Sequence, residues 1–402
     1  MPLLVGACYM TLGQGVEIGP FHFTVIRILL AFGLIRVVVK SENIAGGMNS
    51  LDWLMLIWAG WAVVSSFFHN VPSEAFVNRL GLAYNACGIY FLVRVFCQSS
   101  DDLNVLCRCT AFLLIPVAVE MLYEVVAIHN LYSLLGGVPD TPLIREGRIR
   151  AFGPFAHPIL AGTVGATCLP LLIGIWPQDR KFAFAGVAAC FCMIFASGSS
   201  GPILSAMAAF AALFMWRYKA FLRQIQWLVV LGLISLAVVM KAPVYYLIAR
   251  IDLAAGSTGW HRAALIESAI RHIDEWWMTG TDHTRHWMPT GVSWSPEHTD
   301  ITNEYLNMGV LGGLPLMFLF IATLAVAFIF VGRLQKESND LDGETRFMLW
   351  GFGAALFAHA VTFISVSYFD QSFLFIYLTL AAISSAHSCT VPAQATEEME
   401  RI

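Results

Sequence analysis

Charge is what this chain has least of. Of its 402 residues only 12% are charged while 58% are apolar, and the mean hydropathy is +0.69. That balance excludes a soluble domain of this length and points to lipid as the solvent. Lysine is scarcer still, with five (Lys40, Lys181, Lys219, Lys241, Lys336) against eighteen arginines. A net charge of −4 without a polybasic tail leaves nothing to hold nucleic acid. The two long polar stretches, 129–156 and 243–304, hold no cysteine. All nine cysteines (Cys8, Cys87, Cys97, Cys107, Cys109, Cys168, Cys190, Cys192, Cys389) fall in or beside apolar runs, which argues against a disulfide framework and against thiolate zinc. Cys107/Cys109 and Cys190/Cys192 are two apart, so on a helix they diverge and read as small packing residues. There is no internal repeat and no matching pair of Gly/Pro-broken spans, the usual mark of a transporter. The first residues carry no basic leader and no small-residue cleavage site, so they are expected to stay as a membrane segment.

What the chain does have is apolar runs of about 20 residues, each long enough to cross ~30 Å of hydrocarbon as a helix. The runs fall at 2–17, 21–40, 51–69, 76–97, 103–128, 157–177, 181–197, 202–218, 225–242, 305–332, 346–368 and 371–387. They predict an all-α integral membrane protein, a single polytopic domain over 1–402 with about twelve spans. The first run is the weakest, because Gly13, Gln14 and Gly15 break it. With the N-terminus inside, the inner turns collect Arg36, Lys40, Arg94, Arg108, Arg180, Lys181, Arg217, Lys219, Arg223, Arg333, Lys336, Arg346 and Arg401, as the positive-inside rule requires. The stretches 129–156 and 243–304 and the short links 198–201 and 369–370 then lie outside.

Arg79, Arg145, Arg148, Arg150, Arg250, Arg262, Arg271 and Arg285 fall on the outer side, almost without lysine. A guanidinium is a planar fork that holds diphosphate or carboxylate bidentately, so an anionic ligand is one reading; solvated surface charge is the other. Glu120 and Glu124 stand four apart near the outer end of their span, suited either to the site or to helix pairing.

Four segments carry the candidate chemistry. GRIRAFGPFAHPILAGT (147–163) sets Arg148 and Arg150 ahead of Gly153-Pro154 and of His157-Pro158 at a span's start, a geometry for clamping a phosphate between arginines and a helix N-terminus. ASGSSGPIL (196–204) places Ser199 and Ser200 between two spans, with Pro202 in the first turn of the next helix. Its hydroxyls suit a sugar or phosphate; a tight interhelical turn accounts for it equally well. GSTGWHRAALIESAIRHIDEWW (256–277) reads as an amphipathic helix from about Trp260 to Trp277, with Arg262 in its first turn and Trp276, Trp277 and Trp287 at headgroup depth. SPEHTDITNEYLNMGVLGGLPL (295–316) crowds His298, Asp300, Asn303 and Glu304 at a span's start, either as a general-base region or as ordinary capping. His283, His286 and His298 show none of the usual zinc spacings, so no metal or other cofactor is expected.

RIRAFGPFAHP, ASGSSGP, GWHRAALIESAI and TNEYLNMGVLGGLPLMF, in this order around a long outer loop, resemble the O-antigen ligase and O-antigen polymerase family of bacterial envelope proteins over about 21–386. The resemblance implies a C-type glycosyltransferase architecture in the cytoplasmic (inner) membrane. It also implies a periplasmic active site, a glycan donor on undecaprenyl diphosphate, a glycan or lipid acceptor, inversion at the anomeric carbon, and neither nucleotide sugar nor metal. It implies that Arg150 and Arg262 hold the diphosphate. Two departures stand out. Ser199-Ser200-Gly201 replaces a frequent Ser-Arg-Gly, so Arg145, Arg148 or Arg285 would have to substitute. Thr302-Asn303 replaces a common His-Asn, which leaves His298, then Asp300, as the base; His157, Ser199, Ser200 and Asn303 would be secondary contacts. The rival reading is a transporter or flippase of lipid-linked saccharides, which would need charge at mid-membrane.

Overall fold

The computed structural model describes residues 1–250, 259–293, 295–337 and 341–390; Arg401 and the side chain of Arg250 lie outside them. The chain is mostly helical. After α1 (Pro2–Ala7) come a hairpin, β1 (Gly15–Ile18) with β2 (Phe21–Thr24), and the helices α2 (Val25–Lys40), α3 (Ser50–Ser65), α4 (Pro72–Phe96) and α5 (Ser100–Ala127). A second hairpin, β3 (Leu143–Arg145) with β4 (Arg148–Arg150), leads to α6 (Pro158–Gly174), α7 (Arg180–Ala196), α8 (Ser200–Phe214) and α9 (Leu222–Val239). The long 243–304 loop carries α10 (Gly259–Arg271) and α11 (Ile273–Trp276), and α12 (Glu304–Glu337), α13 (Gly343–Thr362) and α14 (Leu374–Thr390) complete the bundle.

Helix starts follow from local chemistry. Asn49 and Asp52 form a reciprocal capping box on α3, Ser99 caps α5 and Asp342 caps α13, while Pro72 and Pro158 open α4 and α6 where a missing N–H costs nothing. Among the described residues five helical runs are long and apolar enough to cross a membrane: Ser50–Phe68, Ser100–Ala127, Ser200–Val239, Glu304–Lys336 and Gln371–Thr390. The chain is an integral membrane protein. α9 buries none of its residues although nearly all are apolar, the pattern of a helix facing lipid on every side.

Three expectations are corrected. Residues 2–17 form no span-length helix: α1 is six residues long, after which the chain runs on until Gly13 packs backbone to backbone on Gly136 and Gly137. The run 305–332 is not one straight span. α12 breaks at Gly312-Gly313, where Gly313 adopts φ +76 and a Cβ would lie 2.2 Å from the Met278 carbonyl. Only glycine permits both this backbone and this approach. Trp61 Nε1 donates to the Gly312 carbonyl and Leu314 N–H to that of Trp277, so the break is satisfied from both sides. The link 369–370 is longer than expected, a connector from Phe363 to Phe373.

The polar segments collect at two ends. At one, Arg94 grips the buried Asp52 through Nε and Nη2, both at 3.0 Å, with Tyr90 donating to the same carboxylate at 2.6 Å. Arg36–Glu42 and Arg108–Asp179 pairs lie at turns of this basic end. At the other end the 129–156 loop, the turn at 197–200, the large outer loop and the 363–373 connector bond to one another, as set out below.

Candidate active site

Glu146 (φ 54) and Gly147 (φ 73) form a two-residue turn with both central residues left-handed, the geometry that continues the twist of a tight hairpin. Its register pairs Leu143 with Arg150, Ile144 with Ile149 and Arg145 with Arg148. Directly paired residues share a face and so do residues two apart, so Arg145, Arg148 and Arg150 project from one side and the two isoleucines from the other. Like charges placed opposite each other destabilise a hairpin, and a bound anion relieves them.

Arg150 alone of the three is buried. Its Nη2 donates to Ser199 Oγ at 2.5 Å and its Nε to the Ser197 carbonyl at 3.4 Å, while Ser199 Oγ donates to the Ser197 carbonyl at 2.9 Å. The small residues at 197–200 therefore form a seat for this arginine as well as a turn. Burial, with Arg145 nearby, lowers the Arg150 pKa.

From Ala151 onward the backbone is pinned. Ala151 N–H donates to the Ala196 carbonyl; Phe152 N–H (3.1 Å) and Gly153 N–H (2.9 Å) donate to Glu124; Gln371 reaches the Pro154 carbonyl (2.7 Å); Ala156 N–H reaches Asp370 (2.8 Å). Glu120 accepts Leu131 N–H at 2.9 Å. The two carboxylates of α5 thus hold loop backbone rather than pair helices. His157 then caps α6, its Nδ1 accepting Ile159 N–H at 3.2 Å. Burial, with Arg150 and Arg145 close by, pushes its imidazole down to about 4. Ser200 begins α8, half-buried.

The second arm approaches from the outer loop. Arg262, in the first turn of α10, donates from Nε to the Ser365 carbonyl at 3.0 Å. Burial lowers its pKa and the charge of Asp300 opposes that shift, which puts the exposed Asp300 within electrostatic reach of Arg262. His261 likewise feels Asp300. Asn303 caps α12 through Leu306 N–H (3.0 Å) and donates to the Ile364 carbonyl (3.0 Å), and Glu304 accepts Tyr368 N–H (2.9 Å). Arg262, Asn303 and Glu304 on one side and Ala156 and His157 on the other therefore all meet the connector; the His157 ring lies edge-on to Phe369.

His298 and Asp300 face different surroundings. His298 Nδ1 is bonded to Ser295 Oγ at 2.8 Å, and its charged neighbours are Asp282, His283, Glu297 and Arg79, whereas Asp300 faces Arg262 and His261. Arg285 bonds the carbonyls of Met288 and Pro289, which gives it a loop-holding role. The amphipathic helix is shorter than expected, ending at Arg271 and followed by α11. Trp276 and Trp287 are buried in a small core with Leu265, Ala269 and Val310, while Trp260 and Trp277 are exposed.

Asp370 and Ser365 escaped the sequence reading. Asp370 had a signal, being the sole acidic residue between Glu344 and Glu397; it is buried, which raises its carboxyl pKa, and it accepts two backbone N–H groups. Ser365 had none, since Arg262 uses its carbonyl.

Residues 185–321 match the family model for O-antigen ligase. That segment runs from α7 into α12 and includes Ser199, Ser200, Arg262, His298, Asp300 and Asn303; Arg150 and His157 precede it. No curated protein matches the chain. The family that this match names is the one that the motifs resemble, the O-antigen ligase and polymerase family, and the resemblance stands over residues 185–321.

Proposed function

We propose that this protein transfers a glycan from undecaprenyl diphosphate to an acceptor sugar hydroxyl at the periplasmic face of the inner membrane, with inversion and without metal. The observation that carries the reading is that two arginine-bearing segments are tied to the 363–373 connector: the loop that follows the Arg145, Arg148 and Arg150 hairpin, through Ala156 N–H to Asp370, and α10, through Arg262 to the Ser365 carbonyl. The acceptor oxygen forms the new bond to the anomeric carbon as the bond from that carbon to the diphosphate oxygen breaks, and the departing diphosphate gains a negative charge. Fixed guanidinium donors aimed at that charge do in a dry site what a divalent ion does elsewhere. Asp300, whose charge acts on Arg262, is one candidate to take the acceptor proton, and His298, favoured by spacing, is the other. Ser199 lines the seat of Arg150, with Ser200 next to it in sequence, and Asn303 and His157 meet the connector. The apolar helices of the bundle would shelter the polyprenyl tail. A flippase reading gains nothing from Glu120 and Glu124, whose carboxylates are engaged by backbone.

The test is reconstitution of the purified protein with an undecaprenyl-diphosphate glycan and candidate acceptors, free of nucleotide and metal, following product length. Donor left intact with every acceptor overturns the reading. Asp300→Asn should lower kcat by about 10²-fold or more, in the range of a lost general base. If Asp300→Asn is silent and His298→Ala is not, the base is His298.

A further inference from the structure

A second constellation sits in the outer loop, at the end of α10 opposite Arg262. Among the described residues one group of His, Cys, Asp and Glu side chains gathers three ligand-type atoms within 4.8 Å of one another: His272, Glu275 and His286. His272 follows α10, Glu275 lies in α11, and His286 lies in the single turn Arg285–Trp287. His272 Nδ1 stands 2.9 Å from Glu275 Oε1, and His286 Nε2 stands 2.9 Å from both oxygens of the same carboxylate.

We propose that His272, Glu275 and His286 bind one zinc-class divalent cation that clamps the α10–α11 corner to the 285–287 turn. Two imidazoles and a carboxylate are a sufficient donor set for zinc, with water in the fourth position. Bonds of about 2.0–2.2 Å in a tetrahedral arrangement set ligand atoms roughly 3.4 Å apart, so the two 2.9 Å His–Glu contacts open slightly and the histidine nitrogens, within 4.8 Å of each other, draw together to admit the ion. In its absence each short contact needs an imidazole N–H pointing at Glu275, and the ion takes the place of those protons. The groups behind the ligands are already fixed. Trp287 Nε1 donates to Glu275 Oε2 at 3.0 Å, and the His272 ring stacks on Trp287 at 6.1 Å and 9°. Such partners hold ligating rings and carboxylates in the orientation a metal requires. Trp287 and Trp276 are buried, which makes the frame rigid, whereas the His272, Glu275 and His286 side chains are 34%, 31% and 47% exposed, open to an ion from solution. Sequence spacing hid the group, because its closest pair is His-x-x-Glu and the third ligand arrives from a separate turn. The clamp is structural and independent of the transfer reaction.

The test uses the full chain, purified without a histidine tag and titrated with Zn²⁺ by calorimetry and with Co²⁺ by absorption. One equivalent should bind, with the visible band of a four-coordinate cobalt site, and Zn²⁺ should raise the Tm. Millimolar Mg²⁺, which prefers oxygen ligands, should not displace it. Glu275→Gln and His286→Asn, each checked for folding by its Tm without metal, should weaken binding by more than the ~10–100-fold that loss of an outer partner costs. His283→Asn should bind as wild type. No bound equivalent in the wild type, or undiminished binding in either ligand variant, overturns the proposal.

Discussion

Arg150 separates a structural from an electrostatic role most cleanly. Its Nε and Nη2 edge is fixed by Ser197 and Ser199, and the buried guanidinium carries its charge into the hairpin's arginine face. Arg150→Ala should reduce transfer by about 10²–10³-fold, the loss typical of one preorganised donor at a developing negative charge. Arg150→Lys should recover little, because one ammonium cannot reach both the serine seat and the ligand as a fork does. The measurement is single-turnover release of the lipid diphosphate, and more than half of wild-type activity in Arg150→Ala would place the leaving group elsewhere. His157 makes a prediction of different kind. Its folded pKa of about 4 lies below the ordinary value of 6.5, so between those pH values the unfolded chain binds more protons than the folded one. The stability it contributes is therefore complete above about pH 6.5 and is lost as the pH falls toward 4, about 3 kcal/mol in all. His157→Asn keeps an acceptor for Ile159 N–H and removes the titrating ring. Asp370, whose carboxyl pKa is raised, titrates in the opposite sense, so the difference between His157→Asn and wild type in unfolding scans from pH 7 to pH 4 is the quantity to read.

Among elements, the loop from Arg150 to His157 is shaped by groups far from it in sequence. Glu124 accepts two of its N–H groups, Asp370 a third, and Gln371 holds a carbonyl. Glu124→Ala would strand two buried donors at about 1–3 kcal/mol each, and should lower the Tm and transfer together; Glu124→Gln, which keeps an acceptor oxygen, should recover most of both. Equal loss in the two variants would mean that the carboxylate's charge, rather than its hydrogen bonds, shapes the loop. This dependence also explains what the sequence could disclose. Hydropathy located most helices, since twenty apolar residues in a row admit few alternatives in lipid. It did not find the break at Gly312-Gly313, because GVLGGLP reads as apolar throughout and the cause is a contact with Met278 from another segment. It stretched one span to residue 368, because ISVSYF is as apolar as a helix end and only the bonds to Arg262, Asn303 and Glu304 reveal a connector. The arginines stood out by composition; Arg262 reaches the connector directly, while Arg150 is seated on Ser197 and Ser199 and the loop after it meets the connector. The base did not, since His298 and Asp300 are two residues apart in sequence but face different neighbours.

For the whole molecule, the segregation of charge makes sidedness testable. At one end Arg36, Lys40, Arg94, Arg108 and Arg180 lie in or beside the turns joining Lys40 to Asn49, Phe96 to Ser99 and Gly174 to Arg180, tied by bonds such as Gln98 to the Asn43 carbonyl and Arg108 to Asp179. The loop that follows the arginine hairpin and the loop from Gly259 to Asn303 both bond to the 363–373 connector at the other. Short basic turns remain cytoplasmic because charged residues cross the bilayer poorly, so the first end should face the cytoplasm and the arginine arms the periplasm. Cysteines introduced at Glu146 and at His283, both exposed, should react with a membrane-impermeant maleimide in cells with a permeabilised outer membrane, and one at Arg217 should react only after lysis. The exposed native Cys389 is expected at the basic end, where its thiol donates to the Gln98 carbonyl, and serves as an internal cytoplasmic reference. Labelling of Glu146→Cys and His283→Cys from opposite sides would be incompatible with a shared site for the two arms. Labelling of both from the cytoplasm would keep the site but remove its access to a periplasmic donor.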